Sequence, residues 1–303
     1  MVAAGLAIRP LLPRDLEAAD RIVQAAFEID ESRLASLQQL LRLQADGWFL
    51  AVLDGAPVGV TGGLDYGTFV YGGLFAVHPA AQGRGVGMAL LQHWLGWVAA
   101  RGMPHVAVDA SDAGAALCRR VGFVEVDLTD VWEHAGGTPW GGAALPAAPP
   151  QPPRAQARGA PEARVRSLRA GDLDALAAAD ARVFGGDRRA VLQELLDAHP
   201  GRALAVDGPR GALAGYLIAQ ARRLGPWAAA SPADAGALLV AASALGFESG
   251  PVTLTPRANA AAAVLLERAG FRRVRSTHYM VLGTRRPPGQ RTRIYGAASA
   301  ALG

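Results

Sequence analysis

The stretch Gln82-Gly83-Arg84-Gly85-Val86-Gly87 carries the plainest chemistry in this chain of 303 residues. Glycine at every second position strips the backbone of side chains, so that consecutive N–H groups can turn toward one anion. The apolar run Leu74-Phe75-Ala76-Val77, ending at His78-Pro79, reads as a strand, and Met88, Leu90-Leu91, Trp94-Leu95 and Val98 recur at helical spacing after the glycines. A strand, a glycine turn and a helix N-terminus, whose dipole favours negative charge, make a cradle for a pyrophosphate. The dinucleotide fingerprint would need glycine where Met88 stands, and would open a βαβ unit instead of following a hairpin. A Walker loop is impossible because all 30 basic residues are arginine. The missing lysine also removes Schiff-base and pyridoxal phosphate chemistry.

Composition narrows the classes further. With 51% hydrophobic and 18% charged residues, the chain is long and apolar enough for roughly two domains with their own cores. The net charge is only +4 and no run of five like charges occurs, which points away from nucleic acid. A single cysteine, Cys118, forbids an intrachain disulfide and a cysteine metal cage, and the six histidines show no ligand spacing, so no metal is expected. Charged residues interrupt the start, and no apolar run of about 18 residues follows, so the expectation is a cytoplasmic protein without membrane attachment.

The elements that must position the cradle occur twice. Ile8-Arg9-x-Leu11 followed by Asp15-Leu16 and Phe27 matches Val165-Arg166-x-Leu168 followed by Asp172-Leu173 and Phe184, at a constant offset of 157. Each reads as a strand that turns into a helix capped by its aspartate. Hairpin signals follow in both halves, at Asp54-Gly55 and at Asp207-Gly208. Leu117-x-Arg119-Arg120-Val121-Gly122-Phe123 then matches Leu265-x-Glu267-Arg268-Ala269-Gly270-Phe271 at an offset of 148. Between the copies, Ala143 to Ala163 holds six prolines and no periodicity, as expected of an extended spacer. This divides the chain into domains 1–142 and 164–303, joined by a linker over 143–163. Five residues are missing from the second copy, and they fall in the glycine loop of the first.

At these residues the chain resembles the GNAT acetyltransferase superfamily. Val77-x-Pro79-x-x-Gln82-x-x-Gly85-x-Gly87 fits its acetyl-CoA motif, and Gly122-Phe123 fits its closing segment. The resemblance covers residues 6–134 and extends by the repeat to 164–282. It implies an α+β (mixed α/β) protein of two tandem GNAT-like domains, each a twisted mixed sheet flanked by helices. It also implies acetyl-CoA as cosubstrate, lying where the strand at Leu74 to Val77 splays from the strand at Val106 to Asp109. Pantetheine would pair with Phe75 and Val77, and the pyrophosphate would rest on Gln82, Gly83, Arg84, Gly85, Val86, Gly87 and Met88. Two departures stand out. The family's thiolate-protonating tyrosine falls at Cys118 and Leu266, and its asparagine at Ser111 and Asn259.

An amine nucleophile must lose a proton, so a base should face the gap. Asp109 is the best placed carboxylate, although it equally suits a cap for the helix near Ser111. Cys118 reads either as a general acid or as packing. Asp65-Tyr66 and the loop after Phe27 are candidates for the acceptor pocket. The leading function is N-acetylation of a small-molecule amine in the first domain of a monomer or homodimer; the alternative is a non-catalytic acyl-CoA sensor or scaffold. The second copy carries Pro226, which removes an N–H from its strand, and its Ser231 to Gly236 turn is too short for a pyrophosphate. It reads as degenerate, with the Arg285 to Tyr295 tail free to add a strand or to reach the first domain.

Overall fold

The computed structural model describes residues 5–136, 165–247 and 249–303, so the proline-rich seam lies outside the described residues. The chain forms two compact units. One comprises Met1–Val126, His278–Pro287 and Ala300–Leu302; the other comprises Asp127–Thr277, Pro288–Ser299 and Gly303.

The first unit runs β1 (Leu6–Pro10), α1 (Leu16–Phe27), α2 (Leu34–Leu43), β2 (Trp48–Leu53), β3 (Ala56–Asp65), β4 (Val70–Val77), α3 (Val86–Ala100), β5 (Val106–Ala110) and α4 (Asp112–Arg119). Its strands lie in the order β1, β2, β3, β4, β5, antiparallel except for the parallel pair β4 and β5. Leu90, Leu91, Trp94 and Val98, one stripe of α3, bury against Phe49, Ala51, Val70, Val106 and Val108, each worth about 1.5–3 kcal/mol. Helix α1 buries Leu16, Ala19, Ile22 and Val23 and packs on β3 and β4. The β2–β3 hairpin closes through Asp54 and Gly55, both at positive φ (51° and 81°), the primed turn that this dipeptide favours.

The second unit repeats this plan with β7 (Val165–Ser167), α5 (Leu173–Phe184), α6 (Arg189–Ala198), β8 (Ala203–Asp207), β9 (Leu213–Ala219), β10 (Leu224–Ala229), α7 (Pro232–Ser243), β11 (Val252–Pro256) and α8 (Ala260–Arg268). Its Asp207-Gly208 hairpin differs, because a short 3-10 turn over Pro209–Gly211 lengthens the loop.

The aspartates expected to cap α1 and α5 reach backward instead. Asp15 accepts two hydrogen bonds from the Arg9 guanidinium, at 2.6 and 2.8 Å, and one from the Leu12 N–H. Asp172 does the same with Arg166 and the Arg169 N–H. In both cases the arginine holds the carboxyl below the usual carboxylate range. The shared device ties strand to helix start in each copy, and neither aspartate bonds forward into its α-helix.

The last strand of each copy completes the other unit. Strand β6 (Val124–His134) passes into the second unit at Asp127, where it pairs antiparallel with β11 from Val252↔Glu133 to Pro256↔Thr129 and buries Trp132 in that unit's core. Strand β12 (Phe271–Leu282) passes into the first unit at His278, pairs antiparallel with β5 from His278↔Ala110 to Leu282↔Val106, and buries Met280 completely in the first core.

His278 fastens that incoming strand. Its Nε2 lies 2.7 Å from Asp112 and its Nδ1 2.7 Å from Glu125, and the two carboxylates raise its pKa above the ordinary histidine value. A group whose folded pKa is raised stabilises fully below its unfolded pKa and loses that contribution as pH rises through the folded value. We expect His278→Gln to melt below the parent by roughly 0.5–1 kcal/mol at about pH 5.5. The gap should close at about pH 8.5; a gap unchanged across that range, followed by thermal melts, would remove the imidazolium from the clasp.

Candidate functional site

Strands β4 and β5 are in register at only three positions, Val70↔Val106, Tyr71↔Ala107 and Gly72↔Val108. Beyond Gly72 the register of β4 against β3 slips between Val60 and Gly62. The slip sets the two residues Leu74 and Phe75 against Thr61 alone, with Leu74 at φ 48°. A bulge of this kind bends a strand and ends its pairing, and here it turns the last turn of β4 away from β5. The His78 N–H donates to Val58 O at 2.8 Å. Because successive amides of a strand point to opposite edges, the N–H of Val77 faces the edge that β5 has left.

The glycine loop lies directly beyond. Gly83 and Gly85 have φ of 74° and 83°, a region that a side chain rarely tolerates, and Gly85 is the N-cap of α3. The first N–H groups of a helix have no acceptor within it, so those of α3 are available at the cavity wall. The Gln82 side chain anchors the loop by donating from Nε2 to Val77 O at 3.1 Å. A built Cβ on Gly87 would lie 3.5 Å from Leu117, 3.6 Å from Phe75 and 3.8 Å from Val77. All four residues line one cavity of about 970 Å³, so Gly87 keeps that space open.

This cavity gathers most of the residues expected to hold acetyl-CoA: Phe75, Val77, Gln82, Gly83, Gly85, Val86, Gly87, Met88 and Ser111. Arg84 is not among the lining residues; its guanidinium turns to Asp54, 3.6 Å away. The residues present suit a pyrophosphate and an extended amide chain: exposed helix-start amides, a Cβ-free wall and a free strand edge.

The two candidate catalytic residues lie outside the lining. Asp109 accepts a hydrogen bond of 2.7 Å from the Tyr71 hydroxyl. It sits on the face of β5 opposite Val106, Val108 and Ala110, which belong to the core under α3. The cap of α4 is Ser111, whose Oγ accepts from Gly114 N. Cys118 faces the apolar core, and burial pushes its thiol up to about 11. His78 caps its own turn by accepting from Ala80 N. Asp65 accepts from Gly67 N, and the buried Tyr66 hydroxyl donates to Leu302 O at 2.7 Å. Sequence reasoning missed Gln92, Ala113, Gly114, Leu117 and Arg120 as lining residues, as well as Ala26 and Glu28 at the end of α1. Arg120 lies within the repeated Leu-x-Arg-Arg segment, a signal that was present.

In the second unit the corresponding edge is occupied. The tail forms β13 (Ile294–Gly296), which pairs with β10 through Trp227↔Gly296 and Ala228↔Ile294. The strand order is β13, β10, β9, β8, β7. Asn259 caps α8 by accepting from Ala262 N and donates from Nδ2 to Ile294 O at 2.9 Å. Thr255 adds a hydroxyl bond of 2.8 Å to Tyr295 O. Helix α7 starts at Pro232, capped by Ser231, so β10 leads into a helix with no glycine cradle between them. Among the described residues no group of three or more His, Cys, Asp or Glu side chains is arranged to hold a metal ion, and no helix is long and apolar enough to cross a membrane.

Comparison with known families matches residues 14–123 to the acetyltransferase (GNAT) family and residues 176–296 to an acetyltransferase (GNAT) domain. No curated protein matches the sequence. Among solved structures, a candidate acetyltransferase from Pyrococcus horikoshii superposes with a TM-score of 0.80 at 24% identity, over 100% of this chain and 98% of that one. A GCN5-related N-acetyltransferase from Sphaerobacter thermophilus gives 0.66 at 19% identity, over 96% and 99%. One from Anabaena variabilis gives 0.60 at 15%, over 92% and 73%. At these identities the likeness is one of fold.

Proposed function

From the premise that the chain belongs to the GNAT acetyltransferase superfamily in both of its halves, we propose that its first unit transfers an acetyl group from acetyl-CoA to the amine of a small molecule. The observation that carries this is the contrast between equivalent edges: among the described residues β4 has no strand paired to it in place of β5 beyond Gly72, whereas β10 is covered by β13. Domain boundaries at 1–142 and 164–303 remain the sequence-level division, with the exchanged strands crossing it.

The cosubstrate supplies a thioester: the acceptor nitrogen bonds to the acyl carbon as the carbon–sulfur bond breaks, the nitrogen gives up a proton and the sulfur gains one. The chain's part is largely electrostatic. The loop amides and the start of α3 receive the diphosphate. The free N–H of Val77 and the edge at Phe75 hold the amide chain and favour negative charge on the carbonyl oxygen. Asp109, oriented by Tyr71 and set outside the cavity lining, takes the proton of the amine at a distance, through intervening water. Cys118 has no part in this account, since a thiol buried in the core and raised to about 11 neither reaches the cavity nor ionises readily. The leaving sulfur draws its proton from solvent at the cavity mouth.

Titration calorimetry should find one acetyl-CoA per chain, and thiol release with a panel of amines should show turnover. Asp109→Asn should lower kcat by roughly 100-fold with the affinity for acetyl-CoA unchanged. Two equivalent sites would refute the inactive second unit. Tight binding without turnover on any amine would make the protein an acyl-CoA sensor.

A further inference from the structure

The internal duplication supplies a control for each position of the first unit, and the end of α1 is where the two copies part. Helices α1 and α5 are aligned residue for residue by the 157-residue offset, so that Phe27-Glu28 corresponds to Phe184-Gly185. Both second residues are left-handed: Gly185 at φ 93° and Glu28 at φ 53°. Gly185 is the ordinary choice for that conformation, and a Cβ there would strike the backbone of Gly289. Phe184 is buried, with the Arg188 guanidinium 3.9 Å from its ring centroid. In the first unit the same two positions stand at the cavity. Phe27 is 45% exposed, and Glu28 lines the cavity with no described partner for its carboxylate. Of the residues that line it, only Glu28 and Arg120 are charged.

We propose that Glu28, with the ring of Phe27 beside it, selects acceptors that carry a second basic nitrogen besides the one acetylated. The proposal rests on the acetyltransferase reading. The donor's diphosphate calls on Arg120 and the loop amides and is repelled by a carboxylate. The reacting amine already has its base in Asp109, so the carboxylate of Glu28 is left for a different nitrogen. A second, permanently protonated nitrogen suits both groups: a carboxylate as counter-charge and an aromatic face for a cation. The acceptor class is therefore a diamine or a polyamine-like small molecule.

The test compares 1,4-diaminobutane with n-butylamine, which differ by one ammonium. The parent protein should favour the diamine by about tenfold in kcat/KM and in calorimetric affinity for the CoA-bound protein. Glu28→Gln, which keeps the side chain's size, should abolish that preference while leaving acetyl-CoA affinity as it was. Glu28→Gly, the residue of the second copy, should do the same with a raised melting temperature, which guards against a folding defect. A parent without preference, or a preference that survives Glu28→Gln in either readout, overturns the proposal. Absence of acetyl-CoA binding to the parent would instead strike the acetyltransferase reading, and calorimetry of 1,4-diaminobutane against n-butylamine on the free protein and its Glu28→Gln variant would still judge Glu28.

Discussion

Gly87→Val should weaken acetyl-CoA binding by roughly 10- to 100-fold while the protein stays folded, the cost of about 1–3 kcal/mol that overfilling a packed site carries. The first carbon of the new side chain meets Leu117, Phe75 and Val77 at ordinary contact distances, so the fold accepts it. The two methyl groups beyond it then stand in the space those residues enclose. Helix propensity adds little, since glycine is already the poorer helix former. The control is on the same helix: Gly96 is exposed, with nothing within 4 Å of a built Cβ. Gly96→Val should therefore bind as the parent does. Calorimetry of both variants settles it, and an unchanged dissociation constant for Gly87→Val would place the donor elsewhere.

A fragment of residues 1–142 should fail to fold, although it contains the whole glycine loop. It lacks His278 to Leu282, so β5 loses a partner strand along Val106 to Ala110. The core loses Met280, which is fully buried, and the Leu282 side chain packed on it. Losing Met280 alone costs about 2–5 kcal/mol by analogy with large-to-alanine substitutions, a large share of a domain's whole stability of about 5–15 kcal/mol. Meanwhile β6 would carry Val131 and Trp132, buried in the second unit, into solvent. Aggregation on expression is the expected result, relieved when residues 165–303 are co-expressed. A monomeric fragment with a cooperative melt close to that of the full chain would contradict the exchange of strands.

Much of the fold is legible without coordinates because it is local. Asp54-Gly55 announces its turn, the stripe Leu90, Leu91, Trp94 and Val98 announces α3, and the offsets announce the duplication. The exchange is invisible for a physical reason: β6 and β12 are copies of one strand, and β5 and β11 copies of its neighbour. Alternation of apolar residues is equally satisfied whichever copy pairs with which. The bulge at Leu74 is also silent, since leucine gives no sign of a left-handed backbone and the slip against β3 shows only in the pairing. Arg9 and Arg166 show the same limit at close range. An aspartate before a helix reads as a cap, yet a guanidinium six residues earlier competes for it and wins. In the cavity, the glycines and the strand edge were readable, whereas Ala113, Leu117 and Arg120 enter it only because α4 lies against Gly87.

The crossing of β6 and β12 also bears on what the chain can lose over generations. A redundant copy of a duplicated module is ordinarily free to decay or be deleted. Here deletion of the second half would take the outer strand from the first, so purifying selection on the first unit's sheet extends to residues far from its cavity. Drift is then expected only in features that serve the second copy's own cleft, such as its missing cradle and its strand edge sealed by β13. Selection for the first unit's sheet is therefore expected to retain the second half for the strand it lends.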